Sequence, residues 1–114
     1  MSELIPEKRI KVWVKINQID LNLFIMPVIS LFQGLIVYMF YVDNKQHKLP
    51  HIHVKYSDCD AVYSIPEGNL LEGYLPVAKE KLVLAWIELR KEDLIADWQL
   101  AVSGQKVFKI EPLK

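Results

Sequence analysis

Polar and apolar side chains alternate through Lys11-Val12-Trp13-Val14-Lys15-Ile16, the period-two pattern of a half-buried or edge strand. A longer apolar run follows. From Leu23 to Val42 no residue is charged, and outside the aromatic rings only Ser30 and Gln33 are polar. About twenty such residues can cross a bilayer as a helix. Pro27 and Gly34 divide this run into short pieces, however, and a helix interior tolerates neither well. The pieces, Val28-Ile29-Ser30-Leu31-Phe32 and Leu35 to Val42, are rich in β-branched and aromatic residues. Gln33-Gly34 between them has the chemistry of a tight turn, because glycine takes positive φ without a Cβ clash. The run predicts a buried β-hairpin and no membrane span.

Two more strands are predicted at His51 to Tyr56 and Ala61 to Ile65. Ser57-Asp58-Cys59-Asp60 reads as the polar turn between them, and Pro66-Glu67-Gly68-Asn69 as the turn that ends the hairpin. Pro76 sits where helices commonly begin, its missing N–H being harmless in the first turn. Leu82, Ala85, Trp86 and Leu89 recur at helical spacing and leave Glu80, Lys81, Glu88 and Lys91 for solvent. The next residue of that stripe is Asp93, so the apolar face slips out of phase there. It resumes at Leu94, Trp98 and Ala101, which predicts a kink or a second helix starting near Glu92-Asp93. Ser103-Gly104 closes the helical region, and Val107-Phe108-Lys109-Ile110 reads as a last short strand before Pro112. The expected fold is α+β, an antiparallel sheet of about four to six strands packed on one or two C-terminal helices. Trp86 and Trp98 lie on the apolar helical stripes and are expected in the core.

Composition narrows the class. The 114 residues are 52% hydrophobic and 25% charged, unlike a disordered chain, and the length suits a single domain. Residues 1–25 read as an N-terminal extension with one strand, and 26–114 as the α+β domain. Fourteen basic side chains balance fourteen acidic ones, so no overall field advertises nucleic acid or membrane. One cysteine, Cys59, cannot staple an extracellular fold and suits a reducing, cytoplasmic setting. The opening Ser2-Glu3-Leu4-Ile5-Pro6-Glu7 lacks the basic and apolar regions of a signal peptide. No Walker loop, nucleotide-binding glycine fingerprint or Cys-x-x-Cys pair occurs.

The chemistry that stands out is histidine. His47, His51 and His53 fall within a few residues, with Lys45, Lys48 and Lys55 around them and no acid between Asp43 and Asp58. A strand projects alternate residues to one side, so His51, His53 and Lys55 share a face opposite Ile52, Val54 and Tyr56. That geometry predicts two imidazoles standing together on a polar face, outside the apolar core. Three roles fit such a pair. The rings could chelate a metal, but zinc wants three or four ligands, and no spacing here fixes His47, Asp43 or Glu72 as the remainder. They could act as acid and base in phosphoryl transfer, with Lys48 and Lys55 holding phosphate, a chemistry that needs no metal or other cofactor. Or they could be solvated side chains shaped only for a partner's surface. Cys59 sits between Asp58 and Asp60, which oppose thiolate formation and speak against a nucleophile.

Several segments resemble a small bacterial family catalogued as domain of unknown function 4160. They are Met26-Pro27-Val28-Ile29-Ser30, His47-Lys48-Leu49-Pro50-His51-Ile52-His53-Val54 and Ala61-Val62-Tyr63-Ser64-Ile65-Pro66. Leu70-Leu71-Glu72-Gly73, Ala85-Trp86-Ile87-Glu88-Leu89 and Lys109-Ile110-Glu111-Pro112-Leu113 complete the pattern. The resemblance spans residues 26–114 and implies a small cytoplasmic protein, often encoded beside a second small protein. That pairing implies the toxin component of a type II toxin–antitoxin module. The family's recurring histidines match His47, His51 and His53, while a position where many members carry histidine is Arg90 here. No established catalytic residues come with the family. Two functions are therefore expected to compete. One is a toxin acting on RNA or translation, with His47, His51 and His53 as acid–base groups and Lys48 and Lys55 on phosphate. The other is a non-enzymatic module that binds a small cognate protein, with the Lys11–Ile16 strand available for dimerisation.

Overall fold

A computed structural model of the chain describes residues 27–40 and 49–114. Five strands, β1 (Val28–Phe32), β2 (Leu35–Tyr38), β3 (His51–Tyr56), β4 (Cys59–Ser64) and β5 (Leu70–Gly73), form one antiparallel sheet in sequential order. Two helices follow, α1 (Val77–Leu89) and α2 (Lys91–Val102). This is the expected α+β arrangement. The predicted strand at Lys11–Ile16 lies outside the described residues.

The apolar run folds as the expected hairpin, β1 against β2, and no described helix is long and apolar enough to cross a membrane. Gln33 (φ 51°) and Gly34 (φ 80°) both take positive φ, the two-residue turn whose twist matches a hairpin. The next turn is tighter than predicted. Only Ser57 and Asp58 form it, with Ser57 at φ 53°, and Cys59 and Asp60 belong to β4. Asp60 therefore stands directly across from Lys55. Strand β5, directly after the predicted Pro66–Asn69 turn, is not among the strands the sequence pattern predicts. It pairs with β4 because Gly73, at φ 74°, lets its backbone close on the Asp60 carbonyl, where any Cβ would collide.

One sheet face carries Ile29, Leu35, Val37, Ile52, Val54 and Tyr63, all at most 2% exposed. Helix α1 buries Val83, Trp86 and Ile87, and α2 buries Leu94, Asp97, Trp98 and Ala101. Trp86 and Trp98 are thus core residues, as expected. The face of α1 is rotated from the predicted stripe: Ala85 and Leu89 face outward and Val83 and Ile87 inward. Apolar residues lie all round this helix, so spacing alone could not choose among overlapping stripes. The break between helices falls at Arg90 (φ −115°, ψ 20°), close to the predicted Glu92-Asp93.

The C-terminal segment is held without being a strand. The Ile110 N–H donates to the Ile29 carbonyl at 2.8 Å, and the Ser30 hydroxyl donates to the Ile110 carbonyl at 2.9 Å. No ladder extends from these bonds, because the Phe108 N–H is taken by Asp97 Oδ1 at 3.0 Å and Pro112 has no N–H to give. Asp97 is 3% exposed and its Oδ2 has no partner. Burial pushes its carboxyl above the ordinary value, opposed by the Phe108 bond and aided by Asp93. The folded chain thus holds a proton where the unfolded chain has released it. The resulting stability is fully present below the ordinary carboxylate value and is lost as pH rises through the raised one. At pH 7, Asp97→Asn should be at least as stable as wild type and should flatten the mildly acidic part of the stability–pH curve. Asp97→Ala, which strands the Phe108 N–H, should cost about 1–3 kcal/mol. Urea denaturation across a pH series measures all three.

Candidate functional site

The second face of the sheet is built in cross-strand rows. Tyr38, His53, Val62 and Glu72 oppose one another across β2, β3, β4 and β5, and Ile36, Lys55 and Asp60 form the next row. Alternation on each strand sends these side chains away from Ile52, Val54 and Tyr63. Phe40 and these residues, Ile36 apart, surround a hollow of about 530 Å³. Lys55 Nζ lies 3.6 Å from Asp60 Oδ1, with 45% and 74% of the two side chains exposed. Glu72 is exposed on the same hollow.

The two imidazoles occupy different environments. His53 is half-buried, its ring stacked on Phe40 at 4.1 Å between centroids and 15° between planes. His51 is 1% exposed. This corrects the expectation that both rings stand on a polar face. Alternation does place His51 opposite Ile52, but Trp98 of α2 lies against it at 5.0 Å, and His53 meets it edge to face at 5.2 Å. Its Nδ1 is 2.7 Å from the Leu49 carbonyl. A carbonyl only accepts, so Nδ1 carries the hydrogen, and in the neutral ring Nε2 keeps the lone pair. A continuous series of rings, Phe40, His53, His51 and Trp98, therefore joins the hollow to the helical layer.

Of the residues singled out in the sequence, His53 and Lys55 share the hollow, and His51 lies behind His53. His47 and Lys48 fall outside the described residues, as does Asp43. Among the described residues no group of three or more His, Cys, Asp or Glu side chains could hold a metal ion. Sequence reasoning passed over Tyr38, Phe40 and Asp60. Tyr38, the last residue of β2, and Phe40, just beyond it, have the same i, i+2 spacing as the histidines on β3, but only the non-local register shows that the two pairs adjoin.

A protein-family model described as Domain of unknown function (DUF4160) matches residues 34–99, from the first hairpin turn into α2. The chain belongs to the DUF4160 family. The match encloses Tyr38, Phe40, His53, Lys55, Asp60 and Glu72, so the hollow lies wholly within the DUF4160 region. No curated protein and no solved structure matches the chain.

The unequal burial of the DUF4160 histidines has a consequence for mutagenesis. His51→Ala should lose about 2–4 kcal/mol by opening a cavity beneath Trp98. His53→Ala, at the rim of the hollow, should lose about 1 kcal/mol or less. Chemical denaturation of the two single variants makes the comparison, and equal losses would contradict the packing described for His51.

Proposed function

We propose that this chain is the toxin component of a bacterial type II toxin–antitoxin module. It acts on RNA or the translation machinery through the sheet face that carries His53, and a small cognate protein covers that face. The observation that supports this reading is the half-buried imidazole of His53 at a hollow that also presents a lysine and two carboxylates. Imidazole titrates near neutrality and can accept a proton from an attacking hydroxyl or return one to a leaving oxygen. His53 is the group that meets substrate. His51, beneath it, is a positioning residue that fixes its ring, and Lys55 is the nearest described cation for a phosphate. His47 and Lys48 belong to the same cluster in sequence and complete the set of candidate acid–base and phosphate-binding groups.

A second reading, a non-enzymatic module for protein interaction, draws on a specific observation. Lys55, the lysine of the described lining, already faces Asp60 at 3.6 Å, which leaves less of its charge for a polyanion.

Induced expression in a bacterial host, with growth and total RNA followed, separates the two. Wild type should arrest growth with loss of RNA or of protein synthesis. His53→Ala should restore growth at equal levels of folded protein, and Glu92→Gln, exposed on α2, should arrest as wild type does. Undiminished arrest by His53→Ala would remove His53 from the mechanism. Folded wild type that causes no arrest, yet forms an equimolar complex with the product of the adjacent gene, would leave the interaction module.

A further inference from the structure

We propose that the outward face of α1 is the contact between two copies of this chain, packed antiparallel about a two-fold axis near Leu84 and Ala85. The inference is independent of the hollow on the sheet and goes beyond the reading above. Its first support is that α1 carries apolar side chains all round. Val83, Trp86 and Ile87 are buried in the core. Val77, Leu84 and Leu89 nevertheless stay 68%, 37% and 61% exposed, and Ala78 and Ala85 are exposed with them. Val77 and Leu84, like Ala78 and Ala85, are two turns apart, and Leu89 is one turn beyond Ala85. The five therefore line one side of the helix. A surface helix ordinarily turns polar side chains to that side. Here its charged residues are Lys81 and Glu88, both exposed.

The placement of these two charges selects the occupant. The midpoint between Leu84 and Ala85 is three and a half residues, about 5 Å along the axis, from Lys81 and from Glu88 alike. An antiparallel second copy centred there brings Lys81 of each chain opposite Glu88 of the other, and the two-fold axis makes the match twice. A parallel copy would set lysine against lysine and glutamate against glutamate. In the antiparallel pair Ala85 also faces Leu84 of the second copy, and a small residue against a large one lets the two backbones approach. Glu88 Oε2 lies 3.1 Å from Lys91 Nζ, just past the end of α1, with both side chains exposed. Exposed pairs of this kind hold their members loosely, and a carboxylate has acceptor sites for both lysines. The apolar residues supply the attraction and the charges set the direction. Helix α1 has 13 residues and is about 20 Å long, so one helix pair buries less than a standard interface and the dimer should be weak.

Sedimentation equilibrium of the full chain over a wide concentration range tests this. Wild type should show a reversible monomer–dimer equilibrium in the micromolar range or above. Ala85→Arg, which puts bulk and a cation at the centre, should weaken it at least about tenfold. Lys81→Glu and Glu88→Lys each oppose like charges and should each weaken it about fivefold. The double swap, Lys81→Glu with Glu88→Lys, recreates the antiparallel match and should return the affinity to within about twofold of wild type. All three positions are exposed, and recovery in the double swap cannot arise from damaged folding. Wild type that stays monomeric throughout would overturn the proposal. So would a dimer that Ala85→Arg leaves unchanged, in favour of another face, or a double swap no tighter than the single variants. Monomeric wild type whose complex with the product of the adjacent gene is lost in Ala85→Arg would overturn it in favour of that protein as the occupant.

Discussion

The structure turns on Trp86. Its ring is fully buried, lies 5.4 Å from Phe32 of the first strand, and donates its Nε1 hydrogen to the Glu111 carbonyl at 2.8 Å. One side chain therefore ties the sheet, the first helix and the C-terminal segment together. An indole in this position contributes its large apolar area only if its N–H is also satisfied. That requirement explains why the tail runs where it does. The Ile110 and Ser30 bonds hold the tail to β1, while Asp97 fixes it just upstream at Phe108. With one sheet face committed to the helices in this way, the other face is where polar groups can gather. The hollow is the remainder left by that packing.

The same economy links the site to the core. Trp98 belongs to the helical layer, but it also covers His51, and His51 meets His53. A ring at the hollow is thus positioned through another ring by a helix. Close packing transmits such constraints because neighbouring side chains have few alternative rotamers. His53 gains a fixed orientation from the rings of Phe40 and His51, whereas His51 contributes to stability as a core side chain does. Treating the two histidines as an equivalent pair would confuse loss of folding with loss of function.

Much of this was legible in the chain. The Gln33-Gly34 hairpin, the β3 boundaries, the two buried tryptophans and the helix break all follow from local rules, since turn residues and apolar periodicity act over a few positions. What failed was non-local. Alternation correctly sent His51 to the face opposite Ile52, but it could not foresee that Trp98, far along the chain, would bury that ring. Asp60 was read as turn because its neighbours are polar, although the strand pairing places it across from Lys55. Val107–Ile110 has strand-like composition, but its N–H groups are claimed one by one by Asp97 and Ile29. Asp97 itself shares the apolar stripe with Leu94 and Trp98, and an acid in that position was a readable signal of a buried polar duty.

Charge decides how the candidate site is best understood. A cluster of histidines and lysines looks cationic when read along β3 and its approach, because a strand's sequence reports only its own side chains. A sheet face is assembled from several strands, and here β4 and β5 bring Asp60 and Glu72 to the row that β3 began. The local electrostatics of the described face are therefore set by cross-strand neighbours as well as by β3, and Lys55 faces Asp60 across the β3–β4 register. An imidazole in such surroundings can still move protons, but a ligand drawn to it must tolerate carboxylates.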